Sequence, residues 1–371
     1  MLDGDHAGRI RRSRLAVFTV GAVREGRSER SLMTDTSNEE PAPTTSSDRR
    51  IPVEPMDPQI RNIQPGGGVV IQLEQKWGGV RRWWLRTFRK GYVAKMAACR
   101  KGEPTGVPHA VLDPRDLKFY QNQTDCHWEA ADDPFTWRNS LPFARVGLAE
   151  LLAFSSLFWT PAIAALIASL TLDVSDTVRY VLWFVAFGLA LCGIEIAWFF
   201  RDPKRVVPGE PGLVVAPADG KVVHIEEIEH DDFIGGPAIE IGVFLSIFNV
   251  HINRVPVACR VIGIRYKPGK MLNALRPESA RENERLTLCL EDSQAPHRRM
   301  VVRQITGALA RRIVCWLKPG DELARGEQLG MIKLGSRTEL LLPKEEGLET
   351  VTKLGDNIVA GETVMARYRM S

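Results

Sequence analysis

Residues Leu329-Gly-Met-Ile-Lys-Leu-Gly-Ser-Arg-Thr-Glu-Leu-Leu-Leu-Pro343 hold the only Gly-Ser step in a chain of 371 residues that contains 31 glycines. The step sits between two apolar runs of β type. Outward from it the same texture continues. Short alternating apolar runs separated by turn residues cover Val222–Ile228, Ala238–Phe248, Arg260–Tyr266, Arg285–Leu290, Met300–Ile305, Arg312–Leu317, Leu329–Leu334, Glu339–Leu342 and Thr363–Tyr368. Such spacing predicts sandwich or barrel-like β structure over residues 201–371, not alternating βαβ units.

The same region contains an echo. Gly320-Asp-Glu-Leu-Ala-Arg-Gly-Glu-Gln-Leu329 matches Gly355-Asp-Asn-Ile-Val-Ala-Gly-Glu-Thr-Val364. Two copies are too few for a solenoid. They read as turn-strand units of one pseudo-symmetric fold, with Gly335-Ser336 between them. Similar turns occur in biotinyl and lipoyl carrier domains. A carrier needs an exposed lysine at a hairpin tip, and Lys333 followed by Leu334-Gly335-Ser336 is a poor one.

Upstream lie two hydrophobic segments, roughly Leu148–Leu170 and Val178–Phe200. Each holds about 23 residues, or ~35 Å of helix, against a hydrocarbon core of ~30 Å. The joining stretch, Thr171–Thr177, permits only a tight turn, so the pair forms a helical hairpin over residues 146–200. Arg138 and Arg145 precede it, Arg201, Lys204 and Arg205 follow it, and the turn carries Asp173 and Asp176. The positive-inside rule places both termini in the cytoplasm. Glu150 and Glu195 sit near the helix ends and read as snorkelling residues, Glu195 within reach of the interface or of Arg201. The fold class expected is a mainly β (α+β) catalytic domain with pseudo-symmetric β-hairpin halves, preceded by a two-helix transmembrane hairpin.

Residues 1–50 read as a disordered tail. The apolar run Leu15–Val23 behind Arg9, Arg11, Arg12 and Arg14 is too short for a signal peptide and is interrupted by Thr19 and Gly21. Met1 and Met33 both offer a start. Residues 51–145 form a cytoplasmic extension without an assignable fold. Its run Trp77 to Lys90 interleaves basic and aromatic residues, which suits either a helix on an anionic membrane face or an ordinary basic helix with a small aromatic core.

The composition is that of a folded protein, with 44% hydrophobic and 25% charged residues. A net charge of +4 does not argue for nucleic acid. The six cysteines are scattered without a C-x-x-C pair and read as reduced thiols. The seven histidines lack metal-ligand spacing, so no metal site is expected.

A Gly-Ser step allows unusual chemistry. The serine hydroxyl can attack the Gly335 carbonyl, which no Cβ shields and whose residue tolerates strained φ/ψ. The resulting ester can eliminate, cutting the chain and leaving dehydroalanine, which becomes a pyruvoyl group. A pyruvoyl ketone forms a Schiff base with a substrate amine and takes up the electrons left by departing CO2. Activating Ser336 requires a base and a group that orients it. His251, in an apolar strand, and Asp219, in Ala216-Pro-Ala-Asp-Gly220, are the candidates. Each alone reads more simply as a core histidine and a turn aspartate.

Together, Phe199-Phe-Arg-Asp-Pro-Lys-Arg205, Pro217-Ala-Asp-Gly220, Phe248-Asn-Val-His-Ile-Asn-Arg-Val-Pro256 and Leu334-Gly-Ser336 resemble the phosphatidylserine decarboxylase proenzymes, over about Phe199 to Tyr368. The likeness is to the short prokaryotic branch, with Gly-Ser-Arg in place of Gly-Ser-Thr. The resemblance implies cleavage between Gly335 and Ser336 into a β chain, residues 1–335, and an α chain, residues 336–371. It implies a pyruvoyl cofactor from Ser336 and an Asp-His-Ser relay of Asp219, His251 and Ser336. It also implies a bacterial inner-membrane enzyme, its catalytic domain on the cytoplasmic side, acting on phosphatidylserine among anionic lipids. Many members carry two histidines three apart in this block. Here Arg254 takes the second place, where it either holds the substrate carboxylate or phosphate or forms a structural salt bridge. Residues 51–145 lie outside the family pattern. Homo-oligomers are compatible with all of this. Two rivals remain open: a pyruvoyl decarboxylase of another serine-headed lipid or amino acid, and a non-enzymatic membrane-anchored lipoyl-like β domain.

Overall fold

The structure is a computed structural model that describes residues 50–67, 69–103, 109–274, 278–308, 312–333 and 335–369. The tail read over 1–50 and the choice between Met1 and Met33 fall outside these residues except for Arg50, and Leu334 falls outside them too.

Helix α1 (Val69–Phe88) turns Ile71, Arg82 and Leu85 inward and leaves Leu73, Trp77, Val80, Trp84 and Phe88 as an exposed stripe at helical spacing. Arg81 and Arg82 do not join that surface. They turn to the buried Asp113 and Asp116, with Arg81 Nη1 2.8 Å from Asp113 Oδ1 and Arg82 Nη1 3.2 Å from Asp116 Oδ1. Buried carboxylates require such partners. Helix α2 (Lys90–Cys99) and 3₁₀ turns at Pro114–Phe119, Thr136–Ser140 and Arg145–Gly147 complete this part. Ile71, Met96, Val111, Phe119, Tyr120, Cys126 and Trp128 form its core. Its pieces after α2 are too short to show a periodic signal, so the sequence left them unassigned.

Helices α3 (Leu148–Thr171) and α4 (Asp176–Phe199) lie side by side. Each has 24 residues, or ~36 Å. Their mean hydropathies of 1.9 and 2.0 make them long and apolar enough to cross a membrane. Gly193 lets them approach, since a Cβ there would lie 2.5 Å from Trp159 Nε1. Trp183 Nε1 donates to Ser169 Oγ at 2.9 Å, and the Ser175 hydroxyl caps α4.

One acidic residue departs from the snorkelling reading. Glu150 is buried against Lys333 and Arg312, because the first turn of α3 packs on the β-domain instead of facing water. Glu195 lies within electrostatic reach of Arg201, whose guanidinium stacks on Trp198 and donates to the Trp198 and Phe248 carbonyls.

The remaining chain forms β1 (Leu213–Val215), β2 (Gly220–Asp231), β3 (Gly236–Leu245), β4 (Ile252–Arg254) and β5 (Cys259–Lys267), then a helical turn α5 (Ser279–Glu282). After it come β6 (Arg285–Asp292), β7 (Arg299–Thr306), β8 (Arg312–Cys315), β9 (Glu322–Leu323), β10 (Gln328–Lys333), β11 (Ser336–Pro343), β12 (Leu348–Thr350), β13 (Asn357–Ile358) and β14 (Val364–Tyr368). These strands pair antiparallel in one eight-stranded sheet, β13-β2-β3-β11-β7-β6-β5-β9, and two three-stranded sheets, β1-β14-β12 and β4-β10-β8. The β-rich reading of 201–371 holds. The echo segments supply β9 and β13, at opposite edges of the large sheet. Their turn glycines match in φ: 94° and 95° at Gly320 and Gly355, 76° and 77° at Gly326 and Gly361. The strands that follow them, β10 and β14, enter different small sheets.

The main core lies between the sheets and contains Val243, Leu245, Leu288, Leu290, Leu340, Leu342 and Met365. Each such side chain contributes about 1.5–3 kcal/mol of burial. A second cluster joins Ala144, Leu151, Phe199 and Phe200 at the foot of the hairpin to Val250, Ile252, Val314 and Met331 of the β4-β10-β8 region. Ala144 N–H donates to Phe200 O at 2.7 Å and Asp202 N–H to Pro142 O at 2.8 Å, closing the two ends of the hairpin together. The β4-β10-β8 sheet is thereby fixed against the hairpin foot.

Candidate active site

Strand β11 is central in the large sheet, paired to β3 and β7 along its length. Its side chains alternate. Leu340 and Leu342 enter the main core while Leu341 faces a separate cluster on the other side. Ser336, Thr338 and the core leucines share one face. Arg337 and Glu339 take the other, where Arg337 Nε lies 2.9 Å from Glu339 Oε1. Burial and the neighbouring Glu240 raise the Glu339 pKa to about 7.

Ser336 opens the strand, opposite Leu245 and Thr306, and is fully buried. Among the described residues its Oγ has no hydrogen-bond partner, an unusual state for a buried hydroxyl. Gly335 just before it adopts φ +65°, the left-handed region that glycine enters without strain. The Gly335 carbonyl rests so close to Gly307 that a Cβ on Gly307 would lie 2.2 Å from its oxygen.

His251 meets this step. A turn formed by Ser246 and Asn249, closed by the Asn249 side chain on Ser246 N and Oγ at 2.9 and 2.7 Å, redirects the chain after β3. Asn249 O then accepts from His251 Nδ1 at 2.9 Å. With the proton on Nδ1, Nε2 is the acceptor, and Gly335 N–H donates to it at 3.3 Å. The His251 carbonyl also accepts Ile332 N–H from β10, and the Phe199 ring lies 4.5 Å from the imidazole. Burial, with a smaller push from the Arg201 cation, lowers the His251 pKa to about 4. The ring is therefore neutral near pH 7, the form that can accept a proton.

Behind Ser336 lies a buried polar chain. Gln304 Nε2 donates to Asn253 Oδ1 at 2.8 Å, and Asn253 Nδ2 to Thr338 Oγ1 at 3.2 Å. Sequence reasoning did not select Asn249, Asn253, Gln304, Thr338 or Gly307. The two asparagines flank His251 at even spacing, which places them on its side of an extended chain. Gly307 carries no local signal.

Asp219 is held by other partners. Arg205 Nη2 grips both of its oxygens at 2.9 Å, and Ala360 N–H donates to Oδ1 at 2.8 Å. Among the described residues no hydrogen bond or ion pair joins Asp219 to His251 or Ser336. Gly220 after it is required by close packing, because a Cβ would lie 2.2 Å from Phe244 O.

Arg254 points away from the Asn253 side of β4. It donates to Gly326 O at 2.9 Å and lies 3.4 Å from Asp202. With Arg138 and Arg145 it lines a cavity of about 460 Å³ at the hairpin foot. Lys333 is buried and paired to Glu150, so it is not an exposed carrier tip.

Comparison with known proteins gives one answer. The family model described as phosphatidylserine decarboxylase matches residues 195–366. The phosphatidylserine decarboxylase proenzyme of Rhodopirellula baltica is 50% identical over 253 residues, covering 68% of this chain and 99% of that protein. The proenzyme of Symbiobacterium thermophilum is 44% identical over 207 residues, covering 56% of this chain and 92% of its own. That of Ruegeria pomeroyi is 46% identical over 172 residues, or 46% of this chain and 77% of that one.

Proposed function

Because this chain belongs to the phosphatidylserine decarboxylase family, we propose that it converts phosphatidylserine to phosphatidylethanolamine and CO2, using a pyruvoyl group made by cutting its own backbone between Gly335 and Ser336. The observation that carries this reading is the buried, unpartnered Ser336 hydroxyl next to a left-handed glycine whose amide touches a neutral His251.

In this reading His251 Nε2 lets go of the Gly335 N–H and takes the proton from Ser336 Oγ as the oxygen attacks the Gly335 carbonyl carbon. The tautomer is set by Asn249 O, so the acceptor nitrogen faces the step. Burial of Ser336 excludes water, which would otherwise compete for the acyl carbon. Asp219 belongs to the relay as its anion. Its carboxylate is satisfied by Arg205 and the Ala360 amide, so taking part requires it to change partners. The Ser336 position fits a pyruvoyl group, because its side-chain oxygen makes no bond that the change would break. Once formed, a pyruvoyl carbonyl supplies the electron sink for decarboxylation.

The substrate is a bilayer lipid, and the site sits against the foot of a hairpin long enough to span. We place α3 and α4 across a bacterial inner membrane, with both termini and the β-domain on the cytoplasmic side, following the basic flanks. The exposed aromatic stripe of α1, with Lys76, Arg86, Arg89 and Lys90 nearby in sequence, suits the anionic headgroup layer. Arg254 contributes to substrate binding as a cation lining the cavity at that level. We divide the chain into a tail (1–50), a cytoplasmic extension (51–145), a transmembrane hairpin (146–200) and a decarboxylase domain (201–371), whose echo segments mark pseudo-symmetric halves.

Denaturing mass analysis of the purified protein tests the central claim. Residues 336–371 should appear as a separate fragment with a blocked N-terminus, and Ser336→Ala protein should stay whole. An intact wild-type chain refutes the reading.

A further inference from the structure

The buried group around Glu150 has charge and donors to spare. Glu150, from the first turn of α3, pairs with Lys333 and with Arg312 Nη1, the latter at 3.4 Å. Lys333 and Arg312 are cross-strand neighbours on β10 and β8. Gln64 Oε1 accepts from Arg312 Nη1 at 3.3 Å. Lys118 stands nearby but is neutralised by Glu74 at 3.0 Å. Two cations thus face one anion. Among the described residues Arg312 Nη2 and Gln64 Nε2 are buried donors without a partner, and Glu150 Oε2 is a buried acceptor without one. A water could meet a free donor, but it would leave the surplus positive charge in place. A second anion meets both needs.

Self-cleavage makes such an anion two residues away. When Ser336 Oγ attacks the Gly335 carbonyl carbon, the peptide C–N bond breaks and the Ser336 nitrogen takes a proton, leaving an ester. Loss of the Ser336 Cα proton to a base then forms the Cα–Cβ double bond and breaks Cβ–Oγ. Gly335 departs as a carboxylate carrying its own carbonyl oxygen and the former Oγ. Water later replaces the nitrogen at 336, releasing ammonia. The new negative charge arises beside a buried strand end and a neutral histidine, where an unpaired carboxylate is costly.

We infer that the Lys333–Arg312–Gln64 cluster is a binding site for the newly formed Gly335 carboxylate, a latch that holds the severed β-chain end away from the new reactive carbonyl. This rests on the self-cleavage reading above. Two residues of chain span at most about 7 Å, so Gly335 lies no farther than that from Lys333. Once cut, that free end can bring its carboxylate to the cations. The tether keeps its effective concentration in the millimolar range or above.

The test uses the full-length protein in detergent, with cleavage first confirmed by mass. Carboxypeptidase is added, and removal of Gly335 and Leu334 from the β chain is followed by mass. The wild-type end should resist trimming. Arg312→Met and Gln64→Leu should each be trimmed about tenfold faster or more, the ratio that ~1.4 kcal/mol of lost binding gives. Arg312→Lys, which keeps the charge, should restore part of the protection. Should Arg312→Met fail to fold, Gln64→Leu retains both cations and Glu150 and carries the comparison. Equal trimming of cut wild type and cut variants overturns the latch while leaving self-cleavage intact. A wild-type chain that is never cut overturns the self-cleavage reading and the latch with it.

Discussion

Replacing Gly307 with alanine puts a methyl carbon 2.2 Å from the Gly335 carbonyl oxygen and 3.0 Å from its carbon. An ordinary carbon–oxygen contact is no closer than ~3.3 Å, so the scissile carbonyl and the end of β7 must separate by about 1 Å. The neighbour is backbone rather than a flexible side-chain tip, and Gly335 is anchored by its amide on His251 Nε2. Attack by Ser336 Oγ needs the reacting atoms ~3–3.5 Å apart and aligned, and a misplacement of ~1 Å costs about 100-fold. Gly307 is not among the glycines with positive φ, so alanine meets no backbone strain there, and overpacking should cost ~1–3 kcal/mol. The assay is a time course of the 336–371 fragment in freshly synthesised protein, read by denaturing mass analysis beside thermal unfolding. Gly307→Ala should cut about 100-fold more slowly. Gly355→Ala is the control for lost stability: nothing lies within 4 Å of its added methyl, but φ is +95°, so it should lose ~1–2 kcal/mol and still cut normally. Cleavage of Gly307→Ala within about threefold of wild type refutes the argument that carbonyl placement governs the step.

With its pKa lowered to about 4 by burial, His251 should stay neutral as pH falls from 7.5 to 5.5, so the cleavage rate should change less than about twofold, whereas a histidine titrating near 6.5 would lose about tenfold; a fall centred near pH 6.5 refutes a buried neutral base. The unfolded chain binds a proton on this histidine below about pH 6.5 and the folded chain does not until about 4. That contribution to stability is therefore complete above about 6.5 and lost as pH drops toward 4, and His251→Gln should flatten the acid slope of the melting temperature over that window. In uncut Ser336→Ala protein, Glu150→Gln leaves Lys333 and Arg312 buried without their anion and should cost ~3–5 kcal/mol in chemical denaturation; a loss below about 1 kcal/mol would match an exposed pair instead. Asp219→Asn keeps an acceptor for the Ala360 amide but deletes the charge, and processing should slow at least about tenfold; wild-type processing removes Asp219 from the relay. Arg254→Met should cut fully but show a KM for phosphatidylserine vesicles raised about tenfold with kcat kept, the sign of lost uniform binding, and an unchanged KM removes Arg254 from substrate recognition.

Several features could be read from one dimension because they are local or periodic. The two 24-residue apolar helices announce themselves by length and composition. The period-2 runs of 201–371 found the nine longer strands, β2, β3, β5, β6, β7, β8, β10, β11 and β14, with ends off by at most three residues, because alternation persists while turn residues only approximate a boundary; they missed β1, β4, β9, β12 and β13, each two or three residues long and too short to alternate. The Gly-Ser step and the block around His251 singled out both partners of the 3.3 Å contact, since glycine before a nucleophile is a chemical requirement visible in the residues themselves. The fold of 51–145 was not legible, because its helices and turns are held by a small core assembled from distant pieces.

What the chain alone determined is the inventory: a spanning-length hairpin, a β-rich region, a candidate nucleophile and a candidate base. Tertiary structure decided who stands beside whom. Glu150 looks like any acid near a helix end until β8 and β10 bring Arg312 and Lys333 to it. Asp219 looks like a plain turn aspartate until Arg205, from the segment after the hairpin, takes its carboxylate. Gly307 looks like a loop residue until the Gly335 carbonyl rests on it. Charge pairing and steric exclusion act over a few ångströms between residues that can be many positions apart, so no pattern along the chain records them.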